Sequence, residues 1–163
     1  MEIVAGADGD PAMIDEDQRR RLLERAIAAT PGAAEAIAGP LNLAEEIDAV
    51  IAGRGLSRLE DYLALERSGR GAALRADARQ AVWGAYERYR EELRRRGETD
   101  WRHLRLRALQ LALAGHGRRY DAVIVDEAQD LTETGVLLLA ALDQSPDLRN
   151  LMIVGDGQQS IYP

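Results

Sequence analysis

The sequence predicts an α/β chain: a mainly helical part over residues 15–118, then a strand–helix–strand unit with two parallel strands over residues 119–163. Three observations carry this. Apolar residues recur at helical spacing through about residue 113. After Arg119 the pattern changes to two short apolar, partly β-branched runs, Tyr120 to Val125 and Leu151 to Val154. The residues between those runs suffice for one helix, and two strands joined by such a helix form a right-handed parallel unit.

Taken in order, residues 1–14 hold Gly6, Gly9, Pro11 and three acids without periodicity, and read as a flexible N-terminal segment. Asp15 is placed to cap a helix from about Glu16 to Ala29, stopped by Thr30-Pro31-Gly32. A short helical segment precedes Gly39-Pro40. Leu43, Ile47, Val50 and Ile51 mark the next helix, which Gly53 and Gly55 end. Ser57-Arg58-Leu59-Glu60 has the Ser-x-x-Glu form of a capping box, opening a helix through about Glu66.

Beyond the loop Arg67-Ser68-Gly69-Arg70-Gly71 comes the strongest helix, about Asp77 to Arg96. Val82, Tyr86, Tyr89 and Leu93 form its apolar stripe, and Glu91–Arg95 and Glu92–Arg96 are i,i+4 pairs in the favourable order. Gly97 stops it. Thr99 or Asp100 caps a further helix from Trp101 to about Leu113, ended by Gly115 and Gly117. Thr132 caps a helix from Glu133 to about Asp143, whose centre is apolar nearly all round, the mark of a helix covered on more than one side. Trp83 and Trp101 read as core residues. His103 and His116, lacking partners at ligand spacing, read as surface residues.

Hydrophobic residues at 46% allow a sizeable core, though with no phenylalanine it must be filled by Leu, Ala and Val. No apolar run approaches the roughly 20 residues of a membrane span, and the N-terminus lacks the order of a signal peptide. The absence of cysteine excludes disulfides and thiolate metal sites and fits a cytoplasmic protein. The net charge of −7 conceals an asymmetry: residues 67–119 carry fourteen Arg against six acids, and the remainder seven Arg against twenty-two acids. Such a basic block is either a surface facing a polyanion or a set of solvated helix faces with internal ion pairs.

The chemistry concentrates in two tags, Val125-Asp126-Glu127-Ala128-Gln129-Asp130 and Gly155-Asp156-Gly157-Gln158-Gln159-Ser160-Ile161-Tyr162. Each follows a strand-like run, and open α/β sheets place ligand chemistry at the carboxyl ends of their strands. A carboxylate there suits a hard cation that keeps several waters. Asp126 occupies that position, and Glu127 is placed to act on an attacking water. An ordinary helix cap followed by a first-turn acid would also read Asp-Glu; Gln129 and Asp130 make that reading less economical. Gly155 and Gly157 allow tight backbone turns.

Together the tags resemble motifs II and III of UvrD/Rep-like superfamily 1 DNA helicases, specifically over residues 120–162 and more loosely over 56–119. The resemblance implies a helical insertion followed by a partial RecA-like core of the P-loop NTPase type. It implies ATP and Mg²⁺ as cofactors, Asp126 on the metal, Glu127 as catalytic base, and Gln159 as the γ-phosphate sensor. Nucleotide-side contacts fall on Asp126, Gln129, Asp130 and Asp156, with Gln129 and Asp130 coupling the nucleotide site to neighbouring motifs. Tyr162 aligns with an aromatic that meets single-stranded DNA, and Arg67 and Arg70 either touch phosphate or nucleotide or belong to a structural loop. The implied partners are single-stranded DNA or DNA junctions, the implied direction of translocation is 3′ to 5′, and no membrane is implied.

A phosphate loop needs Gly-Lys-Ser/Thr to cradle the β- and γ-phosphates, and this sequence contains no lysine, all 21 basic residues being arginine. The expectation is therefore an N-terminally incomplete segment of a helicase, inactive alone, whose remaining domains lie outside this chain. The alternative is a noncatalytic nucleic-acid-binding or interaction module derived from a truncated paralogue.

Overall fold

The computed structural model describes residues 2–65, 75–145 and 147–156. The chain divides into two compact units, one of residues 11–101 and the other of residues 1–10 with 102–163.

In the first unit, helix α2 (Glu16–Ala28) begins where the sequence places it: the Asp15 side chain accepts from the Gln18 amide and the Gln18 side chain returns to the Asp15 backbone. Helices α3 (Ala33–Ala36) and α4 (Pro40–Glu46) follow, and α4 continues into a π turn over Ile47–Ile51. The longest helix, α6 (Ala76–Arg96), ends at Gly97, whose φ of 65° is a left-handed conformation that glycine adopts without steric cost. Val82, Trp83, Tyr86, Tyr89 and Leu93 of α6 are buried in one core with Leu22, Leu23, Leu43, Ile47 and Ile51. Tyr62 and Trp83 pack with ring centroids 5.6 Å apart, and Trp83 and Tyr86 meet edge to face at 5.3 Å.

A buried polar network lies beside this core. Arg19, 3% exposed, makes a two-pronged pair with Asp48 at 2.5 and 3.0 Å, and its Nε is 3.3 Å from Asp100 Oδ2. The Tyr89 hydroxyl donates to the same Asp100 oxygen at 2.6 Å. Burial alone would lower the Arg19 pKa, but its bond to Asp48 and the nearby Asp100 carboxylate outweigh that and keep the guanidinium charged.

Several expectations are corrected here. Residues 1–14 hold elements of which the sequence bears no sign: α1 (Glu2–Asp8) buries Val4, and β1 (Ala12–Met13) pairs in parallel with β2 (Glu98–Thr99). Nothing local encodes these contacts, so periodicity gave no sign of them. The Ser57 capping box does not form, because helix α5 (Leu59–Ala64) starts one residue too late and Arg58 occupies its extended N-cap without a side-chain bond. At the other end of α5, Arg79 donates to the carbonyls of Leu63 and Leu65 at 2.9 and 3.0 Å. Glu91 pairs with Arg94 and not Arg95, while Glu92 holds both Arg95 and Arg96. Trp83 is core as expected, but Trp101 is 55% exposed.

In the second unit, α7 (Trp101–Leu113) leads towards β3 (Val123–Val125), then α8 (Glu133–Leu142) and β4 (Leu151–Ile153). The strands β3 and β4 pair in parallel with Val123 opposite Leu151 and Val125 opposite Ile153, as expected for a strand–helix–strand crossover. Thr132 caps α8, its hydroxyl accepting from the Gly135 amide at 3.2 Å. At the amino end of the pair Tyr120 bridges to Asp143, whose carboxyl is held below the usual carboxylate range by the Ser145 hydroxyl and amide.

The expected cover on α8 is not found. Only Thr134 and Gly135 of its residues are buried, and Leu137 is 45% exposed. Burying an apolar helix on two sides requires a second layer, and among the described residues α8 packs on β3 within a two-stranded sheet. Ile124, Met152 and Ile153 are likewise exposed.

Candidate functional site

The parallel register brings the two tags side by side at the carboxyl ends of β3 and β4. The Val154 amide donates to the Val125 carbonyl at 2.8 Å, and the Val154 carbonyl accepts from the Ala128 amide at 3.0 Å. The ladder thus runs past the strand ends and joins the two loops through the backbone.

Beyond Val125 the chain turns sharply. Glu127 has φ 54° and ψ 40°, a left-handed conformation that costs a non-glycine residue on the order of 1–3 kcal/mol. Asp126 supports the turn, its Oδ1 accepting from the Glu127 amide at 2.9 Å. A 3₁₀ turn over Ala128–Asp130 follows, with the Asp130 amide donating to the Glu127 carbonyl at 3.2 Å. The result leaves two adjacent acids at the end of β3. Asp126, Glu127, Asp130 and Asp156 are all exposed.

Gln129 links the loops through its side chain. Its Nε2 donates to Glu127 Oε2 at 2.5 Å, and its Oε1 accepts from the Asp156 amide at 3.0 Å. Gly155 leaves room for this. Its backbone is not left-handed, so the turn itself does not demand glycine. A Cβ there would stand 2.7 Å from Gln129 Oε1 and 3.1 Å from the amide nitrogens of Ala128 and Gln129. The sequence signals a turn at Gly155; the structure gives a close approach as the reason for it.

Of the residues singled out in the sequence, Asp126, Glu127, Gln129, Asp130 and Asp156 come together here. Gln159, Tyr162, Arg67 and Arg70 lie outside the described residues. Within the basic block, Arg79 is committed to carbonyls of the α5 end, Arg94, Arg95 and Arg96 to Glu91 and Glu92, and Arg90 lies 5.5 Å from the Tyr86 ring centre. That part of the block consists of internally paired helix faces.

Among the described residues no three His, Cys, Asp or Glu side chains converge on a point that would hold a metal. The donor set at the strand ends is one of exposed carboxylates, with Asp126 engaging a backbone amide through a single oxygen. This fits Mg²⁺, which takes one or two carboxylates and otherwise keeps waters and substrate phosphate oxygens. It does not fit an ion that demands a cage of protein ligands.

Fold and tags define an α/β protein with its polar chemistry at the carboxyl ends of parallel strands. The family model for the UvrD/REP helicase N-terminal domain matches residues 9–163, nearly the whole chain, and the chain belongs to that family. No curated protein matches the chain. No helix among the described residues is long and apolar enough to cross a membrane.

Proposed function

We propose that this chain is the part of an ATP-dependent DNA helicase or translocase that supplies the acidic tag and the γ-phosphate and DNA tag. The observation that carries the reading is the juxtaposition of Asp126-Glu127 with Gly155-Asp156 at neighbouring strand ends. In this reading Asp126 holds Mg²⁺, which when bound neutralises charge on the nucleotide phosphates. Glu127 orients the attacking water and takes its proton. Gln129, Asp130 and Asp156 line the nucleotide side, and Gln159 senses the γ-phosphate. Tyr162 stacks on a base of single-stranded DNA, and Arg67 and Arg70 meet phosphate near a strand or junction. Translocation runs 3′ to 5′, in the cytoplasm. Residues 15–118 form the helical insertion and 119–163 the core portion.

Phosphoryl transfer is catalysed almost entirely by positioning and charge stabilisation. A sequence without lysine cannot supply the phosphate-loop lysine, so in this reading that group comes from another part of the motor. The isolated 163-residue chain is therefore expected to show only background ATP hydrolysis, with or without single-stranded DNA. DNA-stimulated turnover by the purified chain, abolished by Glu127→Gln, would overturn this reading.

A further inference from the structure

We infer that Gln129 is a positioning residue that fixes the Glu127 carboxylate by spanning from it to the backbone of Asp156, and that Gly155 is glycine to keep this span open. The inference rests on the reading of Glu127 as the base, and it narrows the place of Gln129 on the nucleotide side to one task, holding that base without itself binding nucleotide.

The geometry is closed at both ends. The amide group of Gln129 uses its nitrogen on Glu127 Oε2 and its oxygen on the Asp156 N–H. Each end fixes the orientation of the other, since a flipped amide would set oxygen against carboxylate and nitrogen against N–H. The acid it holds needs such support. Glu127 is exposed, its backbone is left-handed, and its carboxylate has three side-chain torsions to settle before it aims anywhere. A bond to a charged oxygen is the stronger kind of hydrogen bond. The other end of the span is the turn at 155–156, which leads directly into the segment bearing Gln159 and Tyr162. The aim of the Glu127 carboxylate is thus set by the position of the second tag, through one side chain.

Gly155 provides an independent handle. Alanine there would meet Gln129 Oε1 at 2.7 Å, so the Gln129 side chain must leave its place, while the backbone at Ala128 and Gln129, 3.1 Å away, need give by only a few tenths of an ångström. Gly155→Ala and Gln129→Ala should then break the same link, and their effects should not add.

The test has two arms. In the labelled 163-residue chain, NMR reads the link without any hydrolysis: Gln129→Ala should shift the Asp156 amide resonance and speed its hydrogen exchange, and Glu127→Ala should shift the Gln129 side-chain amide pair. Unmoved resonances in both variants would overturn the proposal. In a motor that contains this segment together with a phosphate loop, Gln129→Ala should lower kcat by roughly 10- to 100-fold, a part of what a general base supplies, with the KM for ATP within about twofold. Gly155→Ala should do the same, and the double variant no worse than either single one. A loss confined to KM would make Gln129 a nucleotide contact, and additive losses would separate Gly155 from it; either result refutes the inference. Should Glu127→Gln keep normal turnover in that motor while the NMR link persists, the reading of Glu127 as base fails, and a positioning role for Gln129 in hydrolysis fails with it.

Discussion

Replacing Tyr89 with phenylalanine removes a single oxygen from the buried network of the helical unit. That hydroxyl donates at 2.6 Å to Asp100 Oδ2, and both residues are almost wholly shielded from solvent, at 0% and 3% exposure. The ring remains, so no cavity opens and the transfer term is small. What is lost is a hydrogen bond to a charged acceptor, worth about 1.5–3 kcal/mol. A central value of about 2 kcal/mol is a roughly 30-fold change in the folded-to-unfolded ratio, and moves a urea midpoint by about 1 M at a slope near 2 kcal/mol/M. Arg19→Met is the harsher change. It leaves Asp48 and the buried Asp100 without their guanidinium, and breaking a buried pair from one side costs about 3–5 kcal/mol. The assay is urea unfolding followed by tryptophan fluorescence, since Trp83 is buried in the same unit. A Tyr89→Phe protein within about 0.5 kcal/mol of the parent, the range of an ordinary surface change, would refute the claim that this hydroxyl supports Asp100.

Further expectations follow from the same groups and from the tags. Burial raises the pKa of Tyr62 and Tyr86 to about 12, and that of Tyr89 further still, with the Asp100 charge adding to burial. A folded-state pKa raised above the unfolded value near 10 gives stability that is complete below pH about 10 and lost as pH climbs towards about 12, so alkaline unfolding should coincide with late tyrosinate absorbance. Titration of every tyrosine near 10 in the folded protein would contradict this. In a complete motor, Arg67→Ala with Arg70→Ala should flatten the salt dependence of single-strand binding, each phosphate contributing about −0.7 to the log–log slope. An unchanged slope would assign both arginines to a structural loop. Tyr162→Ala should weaken single-strand binding by about 1–3 kcal/mol and leave nucleotide binding nearly intact, and equal losses for both ligands would exclude a stacking role.

Most of the regular structure was legible because its signals are local. Asp15 with Gln18, Thr132, and Gly97 with its left-handed backbone mark helix ends that form where expected. The apolar stripe of α6 faces the core for the same reason. The parallel pairing of β3 and β4 was legible from the length of the intervening helix. What escaped depends on partners distant in sequence. Met13 meets Thr99, Arg19 meets Asp48 and Asp100, and Arg79 meets the end of α5. At the site, the sequence placed Asp126 and Glu127 at a strand end but held no sign that Gln129 would bond Glu127 or that Gly155 would lie against Gln129. The Gly155 contact exists only because two loops are brought together by strand register, and the Gln129–Glu127 bond, two residues apart, depends on the left-handed turn at Glu127. The exposed Trp101 shows the reverse case, since hydrophobic character alone does not decide burial.

The proposed role of Glu127 is to act on the water at the strand ends. Its most direct test is DNA-stimulated ATP hydrolysis by a motor containing this segment and a phosphate loop, comparing the parent with Glu127→Gln. The substitution keeps the shape and removes charge and basicity. Turnover should fall by roughly 10²- to 10⁴-fold, the contribution of a positioned general base, while ATP affinity stays within about twofold. Near-normal turnover in the Glu127→Gln motor would remove Glu127 from the role of base.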